Sequence, residues 1–292
     1  MSDAWDASGP RVTVPHEPRQ VRKEATVNGL GCVVSNSTLH PRFVTANSGL
    51  KFLQFEELKK LPIVHAVFSR DGGVSPPPYN SLNVSFSVGD KKENVLENYK
   101  IICEFLVIDH LYTVNQTHKD NIYVVNPKNR SILPDADAMI TDTPYVPLMI
   151  KQADCQCIIL YAVDKHVLAL IHCGWRGNAL NIVKTVIRTL KEKYKVQPDA
   201  IIAAVGPSLG SCCAEYKDWR NLFPEFFSAF KANNNHFDLK AITKFQMENE
   251  GVLSHNITVS PICTSCNTSF FFSNRREKIT GRFGTVAYLV ER

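Results

Sequence analysis

The sequence predicts a single α+β domain. Two apolar, β-branched runs between Met149 and Gly177 flank a short polar break, which reads as an antiparallel hairpin. Helical spacing of apolar residues marks Glu93–Phe105 and Ala179–Tyr194. No internal repeat or interdomain linker divides the interleaved strands and helices, so residues 46–292 are expected to fold as one unit behind a flexible tail and lead-in at 1–45.

Bulk properties narrow the function. A hydrophobic fraction of 44% supports a full core, and the net charge of +5 comes without runs of Lys or Arg. That balance suits an anionic small ligand better than nucleic acid, which calls for a concentrated basic stripe. The nine cysteines are an odd number, and Cys103, Cys155 and Cys157 sit inside apolar runs. With no signal-peptide pattern ahead of them, a reduced cytoplasmic chain is expected rather than a disulfide scaffold. No stretch reaches the roughly 18 apolar residues of a membrane span. The chain is expected to work on small molecules, without nucleic acid or membrane, as a monomer or homodimer.

Taken in order, Met1 to about Ala25 is polar and aperiodic, and Cys32–Val34 is β-like. Phe52–Leu61 reads as a strand and a short helix or turn, and Ile63–Arg70 as a strand running into Asp71-Gly72-Gly73. That glycine pair permits positive φ and close backbone approach. Ser81–Phe86 alternates enough for a strand, and the helix at Glu93–Phe105 presents Val95, Leu96, Tyr99, Ile102 and Cys103. Leu111–Asn115 and Asn121–Val125 read as strands around Gln116–Asp120, and Ala138–Thr141 as another, introduced by Asp135 and Asp137. Beyond the hairpin come the 179–194 helix, a strand at Ile201–Val205, helices over Trp219–Lys231 and from His236–Lys240 to about Glu250, and strands at Ile257–Ser260 and Thr285–Val290.

The hairpin carries the chemistry. If Ala162 lies opposite Val167, Cys157 faces His172, and Cys155 is its diagonal neighbour on the same face. Cβ atoms in that relation lie roughly 7 Å apart or less. A lone Cys–His pair is most often a packed thiol beside a hydrogen-bonded imidazole. Its chemical readings are a thiolate–imidazole pair for nucleophilic catalysis or two ligands of a zinc ion. A third ligand would separate these, and His118, in a polar segment between strands, is the best candidate. His65, His110, His166 and His255 compete, and spacing leaves them open. The Cys263-Thr264-Ser265-Cys266 motif with Cys212-Cys213 is a weak metal signal, better read as packing. Gly174-Trp175-Arg176-Gly177 opens a helix, where free N–H groups and a guanidinium favour an anion. Arg70 beside Gly72-Gly73, and Arg275-Arg276 near Arg282, offer further anion contacts against a bland reading as solvated arginines.

The succession HAVFSRDGGVS, YNSLNVSFSVGD, VLENYK, QTHKD, DADAMITD, QADC, ALIHCGWRG, AVGPSLGSCC, CTSC, FFFSNRR and GRFG resembles the YfiH (laccase-domain) family, colinear from about Phe52 to Val290. The resemblance implies a four-layer α/β/β/α sandwich with mixed sheets, similar to the catalytic domain of cytotoxic necrotising factor. It implies a purine nucleoside phosphorylase, of a family once described as multicopper polyphenol oxidases. The implied substrates are adenosine, inosine, guanosine and methylthioadenosine, with phosphate as co-substrate and adenosine deaminase activity alongside. Carried over residue by residue, the zinc ligands are His118, Cys155 and His172. Arg70, Arg176 and Arg276 would hold phosphate and Asn83 would contact substrate. Asp154, next to a ligand, is a candidate to support the metal shell. The chain departs from the family pattern at Tyr99, Lys119, Cys173 and Ala214. Two rival readings are a metal-free cysteine hydrolase or amidase using Cys155 and His172, and a copper-dependent phenol oxidase. Soft His–Cys–His ligation without further histidine clusters makes copper less suited than zinc.

Overall fold

The hairpin forms in the expected register. In the computed structural model, which describes residues 33–34, 42–46, 49–128 and 133–292, Ala162 pairs with Val167 and Cys157 with His172. Most of the expected tail lies outside the described residues. Its two described pieces are β1 (Val33–Val34) and β2 (Arg42–Thr45), which pair with each other, so the sheet reaches upstream of residue 46. After them come β3 (Lys51–Gln54), α1 (Glu56–Lys59), β4 (Ile63–Phe68) and α2 (Lys92–Leu106). The centre of the chain supplies β5 (Ile122–Val124), β6 (Ala138–Thr141), β7 (Leu148–Gln152), β8 (Gln156–Ala162) and β9 (Val167–Cys173). Next are α3 (Trp175–Leu180), α4 (Ile182–Tyr194), β10 (Ile201–Val205), α5 (Trp219–Leu222), β11 (Lys231–Asn233) and β12 (His236–Phe237). The chain closes with α6 (Leu239–Asn249), β13 (Ile257–Val259), α7 (Asn274–Glu277) and β14 (Phe283–Leu289).

Two six-stranded sheets stack face to face. One runs β1-β2-β3-β4-β14-β7, antiparallel throughout. The other runs β13-β10-β8-β9-β6-β5 and is mixed, with parallel pairs at both edges. Leu53, Val67, Ile150 and Phe283 of the first sheet meet Met139, Ile159 and Leu170 of the second in the central core. On the outer face of the second sheet, Ile182, Val183, Val186, Ile187 and Leu190 of α4 pack on Ile158, Leu160, Ala169 and Ile171. On the outer face of the first, Val95, Tyr99 and Ile102 of α2 pack on Phe52, Ala66 and Phe68. The result is the four-layer α/β/β/α order. It explains why β8 and β9 are buried along their whole length and read as continuous apolar runs. Both faces of the sheet are covered, so alternation is lost.

Local chemistry accounts for the departures from expectation. The single helix expected over 179–194 is two, because Asn181 adopts left-handed backbone (φ 57°) and accepts the Lys184 N–H as the cap of α4. The helix expected over 219–231 is interrupted at Pro224, leaving α5 and a 3-10 turn at Glu225–Phe230. Ser81–Phe86 is not a strand. Its carbonyls at Ser81 and Asn83 are taken by the buried amide of Asn98, and its Leu82 N–H donates to Arg70 O, so side chains and a loop replace a ladder. Leu111–Asn115 makes only isolated bridges, from Tyr112 to Leu148 and from Asn115 to Asp135. The paired glycines divide their expected roles: Gly72 has φ +90°, and a Cβ on Gly73 would lie 2.4 Å from Ser81 O.

Candidate metal centre

Register on β8 and β9 positions the centre. Cys155 stands just ahead of β8 and His172 near the end of β9, while the segment before β5 brings His118 from outside the hairpin. The three ligand atoms all lie within 4.8 Å of one another, with Cys155 Sγ 3.9 Å from His118 Nε2. A tetrahedral ion with Zn–S of about 2.3 Å and Zn–N of about 2.0–2.1 Å would set sulfur and nitrogen roughly 3.6 Å apart. The imidazole rings meet edge to face at 4.9 Å.

One buried carboxylate organises both histidines. Asp137 Oδ1 lies 2.7 Å from His172 Nδ1, which turns Nε2 of that ring toward the cysteine. The same carboxylate accepts the backbone N–H groups of Thr117, His118 and Lys119 at 2.9–3.0 Å. Those bonds hold His118 in a left-handed conformation (φ 59°) that a non-glycine residue adopts only when its surroundings fix it. Burial pushes the Asp137 carboxyl up, but the His172 and backbone donors outweigh it and hold it below the usual range. Gln116 completes the support, its amide bonding both N–H and C=O of Lys151.

The electrostatics favour a thiolate. Burial alone would raise the Cys155 thiol, yet the nearby His172 charge and the bonds to both histidines bring it down to about 6. Burial alone would lower His172, and the Cys155 charge and Asp137 raise it to about 9. A cation between the three groups would take the place of the imidazolium proton as counter-charge. The backbone leaves room for that ligand set. A Cβ on Gly174 would stand 2.7 Å from Cys155 Sγ, so only glycine lets the sulfur sit where it does. Gly174→Ala is expected to displace the sulfur and weaken metal binding at least tenfold, measured by competition with a chromophoric chelator.

The centre opens on a cleft of about 370 Å³, within the roughly 300–1,000 Å³ of small-molecule sites. Trp175, Arg176, Tyr216, Arg275 and Gln156 line it with His118 and Cys155. Arg176 lies over the Trp175 ring at 4.4 Å and Arg275 over Tyr216 at 5.3 Å. Gln156 donates through Nε2 to Leu239 O, while its buried Oε1 has no partner.

The other expected contacts lie elsewhere. Asn83 is fully buried, and its amide bonds Ser85 O, Asp90 Oδ2 and the N–H groups of Ser85 and Arg282, which fills its hydrogen-bonding capacity. Arg70 is tied to Asn80 O, Thr268 O and Glu277 and lies over Phe272. Arg276 is exposed and donates to Ser265 O. The Asp154 carboxylate makes no bond to a ligand side chain. It accepts from Thr264, Ser273 and the Arg275 N–H, tying two loops together beside the cysteine. Among the competing histidines, His65 accepts the Phe55 N–H and His166 bridges Tyr161 and Val290 O. Sequence reasoning missed Asp137 as the organising group, and Tyr216 and Gln156 as cleft residues. Only the pairing of β6 with β9, which sets Asp137 beside His172, would have signalled the first.

The fold and the centre define the class: a four-layer α/β/β/α domain with a His–Cys–His cradle where its central hairpin meets a small-molecule cleft. The chain belongs to the multi-copper polyphenol oxidoreductase laccase family, whose model matches residues 64–290. It is 29% identical over 247 residues to the purine nucleoside phosphorylase YlmD of Geobacillus stearothermophilus, covering 75% of this chain and 87% of that protein. It is 27% identical over 252 residues to a purine nucleoside phosphorylase of Bacteroides thetaiotaomicron, covering 77% and 91%. Among solved structures, Bacillus licheniformis YfiH aligns with a TM-score of 0.76 at 30% identity, covering 82% of this chain and 96% of that one.

Proposed function

We propose that the protein is a zinc-dependent purine nucleoside phosphorylase acting on adenosine, inosine, guanosine and methylthioadenosine, with adenosine deaminase activity at the same centre. The observation that carries this reading is the junction of the His118–Cys155–His172 cradle with a cleft walled by two aromatic rings and two guanidinium groups. The names of the relatives support the reaction class.

Zinc held by these three side chains would supply a Lewis acid, or a bound water of lowered pKa. The rest falls to the chain's own groups. Trp175 and Tyr216 offer flat surfaces for a purine. Arg176 and Arg275 attract phosphate, Arg176 from the exposed rim. In phosphorolysis the glycosidic C–N bond breaks as a phosphate oxygen bonds the same sugar carbon, giving free base and a sugar 1-phosphate. Guanidinium groups that orient phosphate act by positioning and charge. Asn83, Arg70 and Arg276 serve as scaffold in this reading, since none of them lines the cleft.

Chromatography of the purified chain with adenosine tests the proposal. Adenine is expected only with phosphate present, and inosine without it. Absence of any turnover in zinc-loaded protein would sink both activities. A copper-dependent phenol oxidase fits the donors less well, because the two donor clusters among the described residues are His–Cys–His and all-cysteine. A metal-free cysteine hydrolase is favoured by one observation, the series Cys155–His172–Asp137, which has the order of a nucleophile, base and orienting acid. Elemental analysis separates the two: a stoichiometric ion lost with Cys155 opposes the hydrolase.

A further inference from the structure

Four cysteines outside the candidate centre converge on one point. Cys212 and Cys213 follow β10, Cys263 and Cys266 follow β13, and the four sulfur atoms all lie within 4.8 Å of one another. We propose that they form a second, structural zinc site, a tetrathiolate clamp joining the two loops.

Strand pairing brings the loops together. β10 and β13 run parallel and in register, and the pairing continues into a bridge between Ser208 and Cys263. Ser208 N–H donates to Ile262 O and Thr264 N–H to Ser208 O. Two adjacent cysteines on a strand would point to opposite faces. Here the chain turns instead, with the N–H groups of Cys213 and Ala214 both donating to Gly210 O, and both sulfurs reach the same side.

Packing does not account for the cluster. A free cysteine that serves as a small apolar side chain is normally buried, whereas Cys212 and Cys266 are exposed and Cys213 is half-buried. Cys266 Sγ lies 3.6 Å from Cys212 Sγ and 3.5 Å from Cys213 Sγ, well beyond the roughly 2.03–2.05 Å of a disulfide. Zinc bound tetrahedrally with Zn–S of about 2.3 Å sets its sulfurs roughly 3.8 Å apart, close to these spacings. The Gly210 N–H points at Cys263 Sγ at 3.2 Å, a donor suited to a thiolate ligand. An all-sulfur tetrahedral set selects zinc or iron–sulfur among biological metals, and a single four-thiol cage closed on itself suits one zinc ion in a structural role.

The clamp would bear on the candidate centre without touching it. Leu209 N–H donates to Asp154 O, Thr264 Oγ1 donates to the Asp154 carboxylate, and Ser265 O accepts from Arg276. The two loops therefore grip the residue that precedes Cys155, and locking them together would hold that ligand's backbone. This inference is independent of the reaction assigned above.

Metal counting on the full chain tests it. Zinc-loaded protein kept reduced is expected to hold about two equivalents per chain, Cys155→Ala about one, and Cys155→Ala with Cys263→Ser and Cys266→Ser none. Cobalt(II) loaded into Cys155→Ala should give intense visible bands and near-ultraviolet sulfur charge transfer, both absent from the triple variant. Should that variant fail to fold, titrating Cys155→Ala with a mercurial in the presence of a zinc indicator should release about one equivalent of zinc as its thiols react. Zinc-treated Cys155→Ala with no bound metal would overturn the proposal. So would iron in place of zinc, or a disulfide among the four cysteines in protein alkylated at lysis.

Discussion

Cys155→Ala is expected to lose the metal of the His–Cys–His centre and to lower kcat of phosphorolysis by on the order of 10²-fold or more. The direction follows from the ligand set. Two imidazoles remain, but the thiolate that neutralises charge at the centre is gone, and His172 loses the partner that most raises its pKa. The magnitude follows from the chemistry, since several kcal/mol of charge stabilisation corresponds at about 1.4 kcal/mol per tenfold to that range. Metal content and kcat are to be measured on the same preparation. A fall in turnover with full metal retention would point to the nucleophilic cysteine instead. Unchanged turnover would remove the centre from the reaction altogether.

Asp137→Asn is expected to weaken metal binding about 10–100-fold, the usual effect of losing the group that orients a histidine ligand. The substitution keeps the shape but changes what the atoms accept. The carboxylate takes the His172 ring and three backbone N–H groups, whereas an amide turns one of its two acceptor atoms into a donor. At least one buried N–H then faces another N–H, which costs about 1–3 kcal/mol of stability for a fully buried group. Denaturation of metal-free protein reads the second effect, and chelator competition reads the first. Equal metal affinity in wild type and variant would show that Asp137 shapes the loop without setting the ligands.

The paired tests separate two ways a side chain can matter. Cys155 is placed to touch the ion itself, whereas Asp137 acts through the rings and loop it holds. If both changes abolish metal but only Asp137→Asn lowers the stability of the metal-free chain, the carboxylate is shown to serve structure and site together.

How much of this was legible beforehand varies with the kind of contact. Helix α2 was visible in its apolar spacing, and its expected bounds fall within those observed. Asn181 and Pro224 broke other expected helices through a cap and a missing donor, signals present in the sequence but outweighed there by periodicity. Ser81–Phe86 alternates like a strand and is none, because the amide of Asn98, on a helix that periodicity had placed, intercepts its backbone. The arginines show the same limit. Sequence offered several guanidinium groups near glycine turns, and only the fold separates Arg176 and Arg275 on the cleft from Arg70, which is paired to Glu277.

The sequence by itself determined what short-range geometry controls: the register of β8 and β9, and with it the nearness of Cys155 to His172. A hairpin's pairing follows from its turn and its alternating faces, all within one continuous segment. Tertiary structure alone decided what depends on distant strands meeting. It set Asp137 beside His172 through β6 and β9, and it drew Cys212 and Cys213 to Cys263 and Cys266 through β10 and β13. Which strands become neighbours is settled by burying two sheets against each other, a property of the whole core that no local pattern encodes.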